Sequence, residues 1–208
     1  VTNQKDAKKM AKRCRTIGNA LWVKTEVTIT KAEQPIWNGV WAVLQVREVL
    51  RILQQHPDRA MDLEEKALDL SAQLLVLCWV SKFYRTAYNL AKEQLVSGKA
   101  WEKMRNIIRA QNGKNPDIKS EELELWEHSF EVYANVSGKV KAIDMKHLNN
   151  VARMLWAPSD STAWVYLCKK LGDKVKEGDV LMICYAYSES KLWMTKEYLD
   201  AGLPYEIK

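Results

Sequence analysis

Glycine is scarce in this chain: only 8 of its 208 residues are glycine, fewer than its 9 tryptophans. Neither a Walker loop nor a GxGxxG segment occurs, which excludes the glycine-rich nucleotide-binding motifs. Long apolar runs are also missing, since none approaches the roughly 18 residues that a membrane-spanning helix requires. The charged start, VTNQKDAKKMAKRCR, does not resemble a secretory signal. We therefore expect a cytoplasmic protein and, because the chain begins with Val rather than Met, a part of a longer one.

Metal-binding side chains are few and dispersed. The 4 cysteines lie far apart without a CxxC pair, and the 3 histidines have no metal-ligand spacing to them or to one another. We expect the cysteines to be reduced and mostly buried, and the histidines to be ordinary surface or helix-end residues. These residues are Cys14, Cys78, Cys168, Cys184, His56, His128 and His147.

The charge balance is basic but not segregated. The formal net charge is +6, with 28% charged and 47% hydrophobic residues, as in an ordinary globular protein. A basic surface permits nucleic-acid binding or the attraction of phosphorylated substrates. Acids and bases alternate, however, as in EEKALD and KVKEGD, which favours a solvated surface. A free-standing basic module that binds RNA or another partner therefore stays open only as an alternative hypothesis.

Residues 1–112 read mainly as helices. Apolar residues at helical spacing predict one helix over Asp6–Leu21 and another over Val43–Gln54. A third helix is predicted to begin at the N-cap Asp62, a fourth covers Tyr84–Val96, and a fifth extends from the cap Ser97 to Gln111. The alternating, β-branched stretch Val23–Thr30 predicts one strand. A single strand cannot satisfy both of its edges, so its partner strands are expected outside these residues.

Residues 128–208 read as a small α+β domain. We predict strands at Ser129–Val136 and through Val140 to Ile143, then a helix capped by Asp144. Two Gly-Asp pairs, at 172–173 and 178–179, predict tight turns, and a helix over Ser188–Asp200 precedes an extended end. The polar segment 113–127 is the predicted linker, which gives the predicted domains 1–112 and 128–208.

Several ordered segments resemble the thymidine and pyrimidine-nucleoside phosphorylase family. They are ITKAEQPI, VREVL, SGKAWEKMRNIIRAQNG, SGKVKAID, NVARMLWAP, KKLGDKVKEGDVL and YAYSESKL, which span nearly the whole chain. The resemblance implies an α/β region from a larger phosphorylase domain, followed by a small C-terminal domain of the α/β-hammerhead kind. SGKAWEKM and QPI favour the AMP-cleaving branch of the family over the branch that acts on thymidine or other pyrimidine nucleosides.

The activity implied by this resemblance is phosphorolysis, in which phosphate displaces a base from the sugar C1. The complete enzyme, a pentosyltransferase, would convert AMP and phosphate to adenine and ribose 1,5-bisphosphate, and would assemble as a homodimer or higher homo-oligomer. Such chemistry needs a phosphate cradle and an acid that protonates the departing base. In the family both lie upstream of the matching region, so we assign no catalytic and no substrate-binding residue here and expect the chain alone to be inactive.

The resemblance also implies a monovalent cation, potassium, near the phosphate loop. Its ligands in the family are backbone carbonyls just after a QP dipeptide and a glutamate on the next helix, which correspond to Ile36, Gly39 and Glu48. Oxygen-only ligation suits a hard cation. The alternative interpretation makes Glu48 a helix-surface acid beside Arg47 and Arg51.

Tryptophan often stands where the resembling family has glycine or a turn. Three of these tryptophans, Trp22, Trp79 and Trp156, follow the last apolar residue of a predicted helix, where a left-handed backbone favours glycine. We hypothesise that the gene uses UGA for glycine and was read with UGA as tryptophan. The eight positions concerned are 22, 37, 41, 79, 126, 156, 164 and 193.

Overall fold

The computed structural model describes residues 3–30, 33–40, 42–123, 128–155 and 163–208. The helices there are α1 (Gln4–Ala20), α2 (Ala42–Leu53), α3 (Met61–Leu77), α4 (Tyr84–Val96), α5 (Lys99–Ala110), α6 (Met145–Met154) and α7 (Glu189–Asp200). The strands are β1 (Gly39–Val40), β2 (Ser129–Tyr133), β3 (Gly138–Ile143), β4 (Trp164–Leu167), β5 (Lys174–Val175), β6 (Val180–Tyr185) and β7 (Tyr205–Ile207). The chain is thus a mixed protein of helices and small sheets, and no helix in these ranges is long and apolar enough to cross a membrane.

The chain forms two compact units. The first comprises residues 1–32 and 67–92, and the second comprises residues 33–66 and 93–208. The units are therefore built from alternating segments of the sequence. The division at residues 112 and 128 that the sequence predicts stays a prediction.

In the first unit, the extended segment 23–30 contacts both α1 and α3. Asn3 caps α1, accepting a hydrogen bond from the Asp6 backbone N–H (2.9 Å). Lys24 Nζ donates to the carbonyl of Leu77 (2.8 Å). Segment 23–30 pairs with no strand among the described residues, so the strand predicted there is wrong for this structure, because a strand needs a hydrogen-bonded neighbour.

Among the described residues, four helices end in a left-handed residue that is not glycine. Trp22 and Trp79 have φ angles of 57° and 62°, which confirms the backbone predicted for them. At each helix end the next residue closes the cap, as when the Val23 N–H donates to the Gly18 carbonyl (2.8 Å). Gln55 and Asn112 end α2 and α5 in the same way, with φ of 54° and 59°. The tryptophan positions 41, 126 and 156 lie outside the described residues.

In the described part of the chain, the second unit has two antiparallel sheets. One has the strand order β1-β4-β6-β2, and the other has the order β5-β3-β7. Val165 of β4 pairs with both Val40 and Cys184, while Val140 of β3 pairs with Ile207 of β7. The turns before β5 and β6 contain Gly172 and Gly178 at φ of 95° and 86°, as predicted from the two Gly-Asp pairs.

One apolar cluster fills the space between these sheets and helices α6 and α7. Asp144 caps α6 as predicted, accepting from the N–H groups of Lys146 (2.8 Å) and His147 (3.0 Å). The cap fixes α6 so that its apolar side enters the cluster. Fully buried members of the cluster include Leu148, Val151, Val165, Leu181, Met182 and Cys184.

Two predicted caps and the cysteine prediction need correction. Asp62 lies inside the first turn of α3, and α5 is capped by left-handed Gly98 (φ 80°) instead of Ser97. The four cysteines are free, as expected, but only Cys184 is buried. Two of them are exposed: Cys14 on α1 and Cys78 in the turn that follows α3.

Candidate functional site

Glu48, the predicted carboxylate ligand, is buried against the loop that precedes it. Only 2% of Glu48 is exposed, and its Oε2 accepts a hydrogen bond from the backbone N–H of Asn38 (3.0 Å). The interpretation of Glu48 as a helix-surface acid is therefore wrong. Helix α2 turns this carboxylate inward because it lies four residues after the fully buried Leu44, on the same helix side.

Gly39 brings the loop close to α2. A Cβ atom at Gly39 would lie 2.2 Å from the Cβ of Leu44, which is too close for any other residue. Gly39 also pairs with Tyr166, and the Leu167 N–H donates to the Asn38 carbonyl (2.8 Å). The loop is thus pinned on one side by α2 and on the other by β4.

A lysine that the sequence did not point to completes this cluster. Lys170 Nζ donates to the carbonyl of Ile36 (2.8 Å), the second predicted ligand, and forms an ion pair with Asp62. The following residue, Leu171, donates its N–H to the side chain of Gln34 (2.6 Å). Because Lys170 is 134 residues from Ile36, no local pattern could have predicted the contact.

The predicted cation ligands fit a monovalent cation in part. Ile36 and Glu48 offer oxygen, which suits a hard cation, and both oxygens still have free lone pairs. The Ile36 carbonyl, however, already accepts from an ammonium, so a cation there would share or displace Lys170. Within the described ranges, no three His, Cys, Asp or Glu side chains converge in a way that could hold a metal ion.

Burial shifts the pKa values of two side chains in the cluster. It raises the pKa of Glu48, against the hydrogen bond from Asn38 and the positive charges of Lys170 and Arg47. Burial also lowers the pKa of Arg47, and the neighbouring charge of Arg51 lowers it further. The Arg47 guanidinium lies over the Tyr166 ring, 5.4 Å from its centre, and this cation–π contact favours the charged form of Arg47.

Each histidine contacts a different side chain away from the Glu48 cluster. His56 Nε2 lies 3.4 Å from Glu121, His128 Nδ1 lies 3.7 Å from Glu189, and His147 meets the edge of the Tyr198 ring with ring centres 5.0 Å apart. The structure does not bring them to Glu48 or to one another.

The chain is similar to known phosphorylases. The profile of the pyrimidine nucleoside phosphorylase C-terminal domain matches residues 139–206. An AMP phosphorylase of Thermococcus kodakarensis is 39% identical over 192 residues, and one of Methanosarcina acetivorans is 35% identical over 192 residues. Each alignment covers 92% of this chain, but 38% and 37% of the respective relative.

A third relative extends the match. The AMP phosphorylase of Thermofilum pendens is 34% identical over 204 residues, which is 98% of this chain and 39% of that protein. The chain thus spans less than two fifths of the length of these relatives. At residues 139–206 it contains the pyrimidine nucleoside phosphorylase C-terminal domain, and over nearly its full length it is similar to proteins named AMP phosphorylase.

Proposed function

We propose that this chain is the C-terminal part of an enzyme that cleaves AMP with inorganic phosphate. The observation that carries the proposal is the 34–39% identity, over 92% or more of the chain, to proteins named AMP phosphorylase. The branch that acts on thymidine or other pyrimidine nucleosides is the alternative, because the matching C-terminal domain bears that name.

The proposed reaction is a pentosyl transfer. A phosphate oxygen forms a bond to the sugar C1′ as the C1′–N9 bond to adenine breaks, and the departing base takes up a proton. The products are adenine and ribose 1,5-bisphosphate. We assign neither the phosphate cradle nor the acid to residues of this chain, and place both in the remainder of the complete protein.

The structural role proposed for this chain has two parts. We infer that residues 1–112 contribute to a larger phosphorylase domain, and that residues 128–208 form a domain of the α/β-hammerhead kind. The loop 34–39 connects the two parts, since three residues of the second part, Lys170, Leu171 and Tyr166, hold it next to α2. A fixed loop there would keep the site walls in place during the reaction.

The experiment is a substrate comparison with the complete protein. Purified enzyme is given phosphate with AMP, thymidine or uridine, and free base is measured by chromatography. We expect adenine from AMP, and no base from AMP with the 208-residue chain alone. Faster release of thymine or uracil would favour the alternative branch, and no phosphate-dependent release from any of the three would overturn the proposal.

We further propose that Ile36, Gly39 and Glu48 bind a potassium ion. Lys170 then competes for the Ile36 carbonyl, so its removal should strengthen cation binding. The melting temperature of Lys170→Met should rise more steeply with KCl than that of the wild type, measured against tetramethylammonium chloride. The double variant Lys170→Met/Glu48→Gln should lose this rise, whereas Lys170→Met/Glu93→Gln, with an exposed acid changed on α4, should keep it. Equal salt dependence of all four proteins would exclude the site.

The complete protein is proposed to form a homodimer or a higher homo-oligomer. Light scattering coupled to size-exclusion chromatography measures its mass directly. A monomer at micromolar concentration would contradict this proposal.

A further inference from the structure

Three lysines form one row across the smaller sheet. Lys139 of β3 is the register partner of Lys174 of β5. On its other side Lys139 exchanges both backbone hydrogen bonds with Lys208, at 2.7 and 3.0 Å. Residues directly opposite each other in an antiparallel pair point to the same face. The side chains of Lys174, Lys139 and Lys208 therefore project together from this sheet.

Buried valines on the opposite face of the same sheet determine that the lysines point to solvent. Val140 and Val175, the neighbours of two of these lysines, are 1% and 4% exposed, and both belong to the apolar cluster. A shift of one residue would bury the lysines and expose the valines, so the register is strongly determined. Lys176, two residues after Lys174, is exposed as well. We call Lys139, Lys174, Lys176 and Lys208 the lysine face.

The lysine face borders an open hollow of about 600 Å³, which Gly138 and Asp179 also line. Its two nearby carboxylates are already ion-paired: Asp179 lies 3.3 Å from Lys169 Nζ, and Glu206 lies 2.6 Å from Lys208 Nζ. Among the described residues, no carboxylate forms an ion pair with Lys139, Lys174 or Lys176. The hollow is therefore positively charged.

Like charges directly opposite each other across strands destabilise a sheet. Lys208 is paired with Glu206, but Lys139 and Lys174 lie directly opposite each other without a carboxylate partner in the described part of the chain, which is unfavourable unless an anion compensates them. Strands lie about 4.8 Å apart, so the row extends over about 10 Å. This line of ammonium groups matches an anion whose charges are also arranged in a line.

We propose that the lysine face binds a linear chain of phosphates, as found in inorganic polyphosphate. Proteins that bind single-stranded nucleic acid add aromatic side chains on which bases stack. None of the residues that line the hollow is aromatic. The face therefore offers charge for phosphates and no platform for a base, which favours polyphosphate over RNA. None of the residues that line the hollow belongs to the loop 34–39.

The test is titration calorimetry of the complete protein with tripolyphosphate and with a longer polyphosphate. We expect affinity to rise with chain length and to fall with added salt, because bound counterions are released. Reversing one charge at the centre of the row, in Lys139→Glu, should weaken binding about tenfold or more. Lys174→Ser should weaken it less, because it removes a charge without adding a negative one.

The matched control is Lys103→Glu, which makes the same charge change on the exposed side of α5. It should bind tripolyphosphate as the wild type does. Equal losses in Lys139→Glu and Lys103→Glu would mean that only net charge attracts the anion, and would overturn the proposal. So would the absence of binding at low salt, or tighter binding of a single-stranded RNA of equal charge. Circular dichroism confirms that each variant is folded before titration.

Discussion

Tryptophan at a helix C′ position destabilises the fold, because its left-handed backbone is strained and its exposed ring gains little packing energy in return. Trp22 is 96% exposed, so its ring gains almost nothing from packing. Its φ of 57° places its Cβ close to the following carbonyl, which costs roughly 1–2 kcal/mol for an L-residue. Trp79 has the same backbone but holds Lys24, whose Nζ lies 4.0 Å from the ring centre.

Trp22→Gly should therefore stabilise the protein by about 1 kcal/mol, measured by denaturant unfolding. Trp79→Gly should gain less, since it also loses a cation–π contact worth about 0.5–1 kcal/mol at an exposed site. Trp193 is a matched control: it is exposed within α7, where glycine costs roughly 1 kcal/mol. Stability losses of equal size in Trp22→Gly and Trp193→Gly would contradict this account.

The structure supports the codon hypothesis at some tryptophan positions and not at others. Trp22 and Trp79 occupy positions that favour glycine, and Trp37 lies in a bend. Trp164, by contrast, is fully buried in β4 and packs edge-to-face with Tyr185, with ring centres 5.9 Å apart. Its Nε1–H nevertheless has no hydrogen-bond partner in the described part of the chain. Genomic UGG codons at the eight tryptophan positions would end the hypothesis.

Glu48 should make stability depend on pH in a definite direction. Because burial raises its pKa, the folded protein keeps this proton over a pH range in which the unfolded chain has lost it. Stability then falls as pH rises through that range. Glu48→Gln keeps an acceptor for Asn38 and cannot titrate, so its melting temperature should rise relative to wild type as the pH increases above about pH 4. The exposed-site control Glu93→Gln should show no such trend.

At the scale of the elements, the N-terminus of α6 is stabilised by one side chain, that of Asp144. Hydrogen bonds from the N–H groups of His147 and Lys146 lower the pKa of Asp144. This stabilisation is present at neutral pH and is lost as pH falls through the lowered pKa.

Asp144→Ala should lower the melting temperature by about 2–4 °C at neutral pH, whereas Asp144→Asn, which can also cap, should lower it less. The difference between wild type and Asp144→Ala should shrink in acid. A difference that stays constant down to acid pH would mean that the cap contributes nothing through its charge.

Elements were predictable from the sequence where the signal was local. The cap Asp144, the Gly-Asp turns and the apolar spacing of α2 and α6 each act within a few residues. The caps Asp62 and Ser97 were misassigned because a neighbouring residue began the helix instead. At the candidate site, Ile36, Gly39 and Glu48 came from a resemblance. The burial of Glu48 and the contact of Lys170 depend on tertiary packing, which no local pattern encodes.

At the scale of the whole molecule, the apolar cluster lies entirely between residues 132 and 205. We therefore expect residues 128–208 to fold alone and to unfold cooperatively on heating, followed by circular dichroism. Leu148 is fully buried in the cluster, so Leu148→Ala should abolish or strongly lower the transition, at a cost of about 2–5 kcal/mol. A fragment without a cooperative transition would show that residues 33–66 are needed.

The chain passes from one compact unit to the other three times, after residues 32, 66 and 92, and the last two passages lie within α3 and α4. No single cut can therefore release either unit, since each is assembled from two separate stretches. A protease that nicks one exposed turn, such as that around Asn112–Gly113, would leave two peptides held together without a covalent link. Such a sample would migrate as one species on a native gel and as two under denaturing conditions.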